Sequence, residues 1–339
     1  LSPIYLDHAA TTPMLPQAQA AMAEGFRIWA NPSSPHKAGR AARAALEEAR
    51  GRVKALLGWS GEVVFTSGAS EALGVAISRS IKPLVAVSQV EHEAVLRLAG
   101  DAVRLPVDAG GILAAAPEAG GLVAVQQVNN ETGVIQPLDA LAASVREGGG
   151  WLLADCAQGA GKIALPQADL IALSAHKFGG PIGVGALLVR DWAMLKPTGG
   201  QERGYRPGTE NLPGVLAMVA ALEAGSGWME QAATLRKSLE DQLVASGCEV
   251  IAAGSPRLPT IGAYRMPGRS ANAQLIRFDG MGFAVSAGSA CSSGSLKASH
   301  VLTAMGVEGA GEVIRVSIGR ETTAAEIDAF VAAWREIAA

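Results

Sequence analysis

An α/β architecture, with a large domain built on a mostly parallel central sheet flanked by helices and a smaller α/β domain beside it, follows from three features of this 339-residue chain. Short apolar runs recur between Glu62 and Arg190, namely VVFT, PLVAVS, GLVAVQQV, WLLADC, LIALSA and GVGALLVR, and helical or loop segments separate most of them. Runs this uniformly apolar suit strands buried on both faces, the condition of a parallel sheet covered by helices. An Ala- and Leu-rich helical stretch then runs from Asn211 to about Ser246, and beyond it the pattern resumes in CEVIAAG, TIGAYRM, FAVSAG and EVIRVSIG. That helical stretch marks the boundary, and the expected domains are 12–229 for the larger and 1–11 with 230–339 for the smaller.

Taken in chain order, GRAARAALEEARGRVK reads as a helix with a solvated basic face and Leu46, Ala49 and Val53 turned inward. VVFT leads into Ser67-Gly68-Ala69-Ser70 and then a helical pattern. Free backbone N–H groups and small hydroxyls at a helix start suit an anion, phosphate above all, although the same turn also reads as an ordinary βα connection. In WLLADCAQ, strand alternation sends Asp155 and Cys156 to opposite faces. A carboxylate amid apolar residues calls for a cation or a protonated ring nitrogen, and equally for the role of a strand-end cap. ALSAHKFGGPIG delivers Lys177 at a strand end, where a buried ammonium needs a counter-ion or a covalent partner. The last helix opens with Thr323-x-x-Glu326, a capping-box spacing.

Composition narrows the partners. With 49 % hydrophobic residues, 17 % charged residues and a net charge of -3 without like-charge runs, the chain has material for a large core and no electrostatic footprint for nucleic acid or anionic membrane. No apolar stretch approaches the roughly 20 residues of a membrane span and no secretory leader is recognisable, so a cytoplasmic location is expected. Cys156, Cys248 and Cys291 stand in neither disulfide nor metal spacing. Only Cys291, in SAGSACSSGS, is set for reactivity, since Gly288, Gly294 and the serines between Ser286 and Ser295 predict a mobile loop.

A strand-end lysine, a buried aspartate and a phosphate cradle are the groups that pyridoxal phosphate requires: an imine with the lysine, a protonated ring nitrogen held by the carboxylate, and an anchored phosphate. Nearly end to end, the sequence resembles the cysteine desulfurases of the class V, fold-type I aminotransferase superfamily, the group of the nitrogenase-associated and iron–sulfur-assembly enzymes. The matching stretches are YLDHAATTP, NPSSPHKAG, VFTSGASEA, EHEAV, VNNETGVIQP, ADCAQ, SAHKFGGPIGVGAL, ERGYRPGTEN, SAGSAC and IRVSIGR.

The resemblance implies a fold-type I transferase in which Lys177 carries pyridoxal 5'-phosphate, Asp155 faces its ring nitrogen, Gln158 touches the ring hydroxyl and His92 stacks on the ring. Phosphate contacts would come from Ala69, Ser70, Ser174 and His176, and from Thr209 of a partner subunit, which implies a homodimer. Asn130 and Arg315 would hold the carboxylate of L-cysteine, and Cys291 would take its sulfur as a persulfide, yielding L-alanine. His92 is also implied as a proton carrier, and an acceptor or scaffold protein of iron–sulfur assembly as the partner.

Ser70 stands where the family usually has threonine and keeps the hydroxyl. Ala175 replaces a glycine and Pro207 a serine, changes that bear on rate rather than on reaction type. The close of the chain at Ala339, soon after its last helix, makes a small dedicated sulfur acceptor as plausible as a scaffold. Two readings stand beside the main one: selenocysteine lyase or another class V aminotransferase, and an inactive cofactor-binding subunit used for docking.

Overall fold

The structure, a computed structural model, describes residues 3–114, 120–288 and 299–339. Its centre is a seven-stranded sheet of β2 (Glu62–Thr66), β3 (Leu84–Ser88), β4 (Val103–Leu105), β5 (Leu122–Gln126), β6 (Trp151–Asp155), β7 (Leu170–Ser174) and β8 (Gly185–Val189), in the spatial order β2-β8-β7-β6-β5-β3-β4. Strand β8 runs antiparallel to both β2 and β7, while the β7-β6-β5-β3-β4 pairings are parallel. Six strands therefore point the same way, and their C-terminal ends share one edge of the sheet.

Alternation along each strand feeds two separate cores. Phe65, Val125, Ala154, Leu173 and Leu188 face one side, packed with buried residues of α2 (Lys37–Leu56), α5 (Leu138–Glu147) and α6 (Leu212–Glu223). Val64, Ala124, Leu153, Ala172 and Leu187 face the other, packed with α3 (Ala69–Arg79). Burial on both faces is why these runs carry no polar alternation.

A third hydrophobic cluster lies in the C-terminal region. It surrounds a three-stranded antiparallel sheet of β9 (Glu249–Val250), β10 (Ile261–Arg265) and β12 (Val313–Ser317), in the order β12-β10-β9. Leu6, Leu239, Tyr264, Phe278, Ile314, Phe330 and Trp334 fill it, with α7 (Met229–Val244), α8 (Ala271–Gly280) and α10 (Ala324–Ala338) as the surrounding helices. Thr323 and Glu326 form the expected capping box of α10. FAVSAG contributes β11 (Phe283–Ala284), which pairs with β1 (Ile4–Tyr5), so the N-terminus packs against this region.

Two expectations need correction. The helical stretch from Asn211 to Ser246 is two helices, α6 and α7, broken at Gly225, whose φ of +67° an α-helix cannot accommodate. The basic face of α2 is not wholly solvated, because Arg50 turns inward. Its guanidinium pairs with the buried Glu202 carboxylate at 2.8 and 3.0 Å and lies over the Phe65 ring. Leu46, Ala49 and Val53 are buried as the helical period requires.

Candidate active site

One cavity of about 400 Å³ opens at the C-terminal edge of the parallel strands, the usual place for ligands in an open α/β sheet. Ala69, Ser70, His92, Asn130, Asp155, Gln158, Ser174, His176, Lys177 and Arg315 all line it. The fold delivers them from five strand ends and one distant strand. β2 leads to the start of α3, β3 to His92 at the head of α4 (Glu93–Leu96), and β5 to Asn130. Asp155 ends β6, and Ser174 ends β7 just before the short turn carrying His176 and Lys177.

At the start of α3 no side chain caps the helix, and the turn approaches β8 closely. A Cβ on Gly185 would lie 2.6 Å from Gly68 Cα and 2.4 Å from the Leu173 carbonyl oxygen, so only glycine permits that approach. The first-turn N–H groups of α3 thus border the cavity beside the Ser70 and Ser174 side chains. Glu71, also on the wall, is held by the Ser67 N–H and by the Arg206 guanidinium at 3.0 Å.

Asp155 lies between Gln126 of β5 and Ala172 of β7 in the sheet register. Its Oδ1 accepts the Ala157 N–H at 2.9 Å. Burial raises its pKa, partly offset by that hydrogen bond and by the nearby His92 and Lys177. A cationic ring nitrogen would supply the charge this carboxylate calls for. Gln158 donates from Nε2 to the Ala9 carbonyl at 2.9 Å, while its buried Oε1 has no hydrogen-bond partner among the described residues. An acceptor left unmet at the cavity wall fits a ligand hydroxyl.

His92 caps α4, its Nδ1 accepting the Ala94 N–H at 3.1 Å. Burial lowers its pKa, opposed by Asp155. A neutral ring with Nδ1 as acceptor carries its proton on Nε2. Lys177 donates from Nζ to the Ala9 and Ala10 carbonyls at 2.6 and 2.7 Å. His176 meets Thr11 Oγ1 through Nδ1 at 3.1 Å, and burial depresses its pKa to about 4.

Arg315, on β12, is almost wholly buried at 2 % exposure. Its Nη1 donates to the Asn130 carbonyl at 3.0 Å and its Nη2 to Asp7 Oδ1 at 2.7 Å. Thr209 is exposed and does not line the cavity of its own chain. Cys291 lies outside the described residues. Cys156 and Cys248 are buried, and burial pushes their thiols up, to about 12 for Cys248, so both are packing residues.

The stretch YLDHAATTP carries no local signal of a task for its residues, yet Asp7, Ala9, Ala10 and Thr11 contact four cavity side chains. Two further buried groups went unremarked. Glu91, just before His92, accepts the Gln126 N–H at 2.7 Å, and burial raises its pKa well above the carboxylate range. Lys162, four residues beyond Gln158, is buried with its pKa depressed to about 7 by burial and by the Lys177 charge. A polar residue inside an apolar segment was the only available signal for either.

Residues 4–330 match the model of the class-V aminotransferase family. A cysteine desulfurase of Cereibacter sphaeroides is 38 % identical over 359 residues, covering 96 % of this chain and 93 % of the relative. Among solved structures, a NifS-like protein superposes with a TM-score of 0.90 at 29 % identity, covering 99 % of both chains. SspA, solved in complex with cysteine, superposes with a TM-score of 0.80 at 28 % identity, covering 94 % of this chain and all of that one.

Proposed function

Since the chain belongs to the class-V aminotransferase family and, within it, to the cysteine desulfurases, we propose that it works with pyridoxal 5'-phosphate at the described cavity and passes the sulfur of L-cysteine to Cys291. The observation that carries this reading is the convergence on one cavity of a strand-end lysine, a buried carboxylate, an uncapped helix start and the orphaned Gln158 Oε1.

The cavity residues fit the group. Lys177 would hold its aldehyde carbon, Asp155 its ring nitrogen, Gln158 its hydroxyl and His92 its face. The start of α3, with Ser70, Ser174 and His176, would hold the phosphate, and Thr209 would reach it from a second copy in a homodimer. When bound, the cofactor supplies an electron sink for the substrate α-carbon.

The chain's own residues do the rest. Arg315 binds the substrate carboxylate with Asn130 beside it, a charge-assisted contact that fixes the amino acid in the cavity. The Lys177 amine, once released, takes the α-proton as general base. The Cys291 thiolate attacks the substrate sulfur, so an S–S bond forms as the C–S bond breaks and the bonding pair stays with the carbon fragment. Protonation of that fragment, with His92 Nε2–H at hand, gives L-alanine. The balance is L-cysteine plus a thiol to L-alanine plus a persulfide, with no outside oxidant or reductant.

We assign the large domain to 12–229 and the small one to 1–11 and 230–339, and we place the protein in the cytoplasm with a sulfur acceptor or scaffold of iron–sulfur assembly as partner. Among the described residues no helix is long and apolar enough to cross a membrane. The test is to follow alanine and sulfide together after L-cysteine and a reductant are added to the purified protein. Equal yields, lost in Cys291→Ser with cofactor absorbance retained, support the assignment; normal turnover by that variant sinks it.

A further inference from the structure

The segment Asp7–Thr12 runs from the end of β12 across the cavity wall. Ser317 aligns it: the Ser317 N–H donates to the Leu6 carbonyl, its carbonyl accepts the His8 N–H, and its Oγ accepts the Ala9 N–H at 2.8 Å. Arg315 precedes Ser317 by two residues on the same strand, so the two side chains share a face of β12. That register brings Asp7 beside the Arg315 guanidinium, 308 positions away in sequence.

The guanidinium has few other anchors among the described residues. Among the described residues Nη1 is held by one carbonyl, and the buried Nε has no hydrogen-bond partner. Glu131, whose charge also acts in this region, is engaged with Ser299, whose Oγ donates to Glu131 Oε2 at 2.5 Å. Among the described residues Asp7 is thus the carboxylate paired with Arg315, and it fixes the guanidinium plane while leaving the remaining Nη protons for an incoming anion.

We propose that Asp7 is a positioning residue for amino-acid recognition, acting through Arg315, so that the guanidinium meets the substrate carboxylate already oriented. The inference rests on the assignment of Arg315 to that carboxylate. The segment itself is held independently of Asp7, through the Ala9 N–H on Ser317 Oγ, the Ala9 carbonyl on Gln158 Nε2 and the Thr12 N–H on the His176 carbonyl. Losing the Asp7 carboxylate therefore frees Arg315 without releasing the strap.

The experiment is a titration of the cofactor-loaded enzyme with L-alanine and, separately, with cysteamine, which has the amine and no carboxylate, read by cofactor absorbance. Asp7→Ala should weaken L-alanine about tenfold, on the scale of one lost charge-assisted contact, and leave cysteamine within twofold. Asp7→Asn, which keeps an acceptor oxygen, should recover most of the affinity. In turnover the loss should fall on KM for L-cysteine more than on kcat. L-alanine affinity unchanged in Asp7→Ala, or equal losses for both ligands, overturns the proposal. Arg315→Ala separates the two levels: if it also binds L-alanine normally, the assignment of Arg315 falls and the proposal with it, whereas a loss there without one in Asp7→Ala overturns the Asp7 role alone.

Discussion

Replacing Lys162 by methionine removes a buried ammonium and keeps most of the side-chain volume, and its effect on stability depends on pH in a calculable way. Lys162 sits in the turn after β6, its N–H bonded to the Gly159 carbonyl, and its pKa falls from 10.5 to about 7 in the folded chain. Between those values the unfolded chain binds the extra proton, so Lys162 makes stability rise with pH, by about 1.4 kcal/mol per unit. The stabilising share is complete above the unfolded pKa and is lost as pH falls through the folded one. From pH 7.5 to 9.5 the change amounts to roughly 2.5 kcal/mol on that slope, or about 0.8 M in urea midpoint at an m-value near 3 kcal/mol/M. Urea denaturation of wild type and Lys162→Met should show the variant more stable at pH 7.5, with the gap closing toward pH 9.5. Midpoints that run parallel across that window would refute the burial of a titrating lysine beside Lys177.

Three other outcomes are expected. Asp155→Asn removes the carboxylate proposed to hold the cofactor's ring nitrogen in its protonated form, so turnover should fall at least 10²-fold, a barrier higher by about 2.7 kcal/mol or more; steady-state alanine release checks it, and a value within threefold of wild type contradicts the role. Gly185→Ala forces a Cβ to within 2.4 Å of the Leu173 carbonyl and 2.6 Å of Gly68 Cα, which should lower stability by about 1–3 kcal/mol and weaken cofactor binding measured by dialysis. His8 is half-buried beside Tyr5, and desolvation lowers its pKa to about 4, so its contribution to stability is present above pH 6.5 and is lost as pH falls toward 4; His8→Gln should flatten that acid limb in thermal melts.

Much of this was readable before folding. The six apolar runs became β2, β3, β5, β6, β7 and β8 because a strand buried on both faces leaves a local signature. The three-residue β4, with Val103 and Arg104 exposed at the sheet edge, left none. Asp155 and Lys177 stood out as polar residues closing apolar strands, and a parallel sheet must bring such strand ends to one edge. Helicity from Asn211 to Ser246 was legible, whereas the break at Gly225 was not, because a lone glycine costs a helix only about 1 kcal/mol and does not by itself end it. Arg50 was misjudged for a related reason: periodicity tells which face a residue occupies, not that a buried Glu202 waits 152 positions later.

By itself the sequence determined the element types, the sheet class and the chemical character of the cavity, since strand alternation, helix periodicity and turn residues act over a few neighbours. Only the tertiary structure decided that Asp7 pairs with Arg315, that Ala9 and Ala10 cap Lys177, that Gln158 keeps one oxygen unmet among the described residues and that Lys162 is buried beside a second lysine. The physical reason is range. Burial and pairing between residues hundreds of positions apart depend on how whole sheets pack, and no local pattern encodes which distant partner will fill the space.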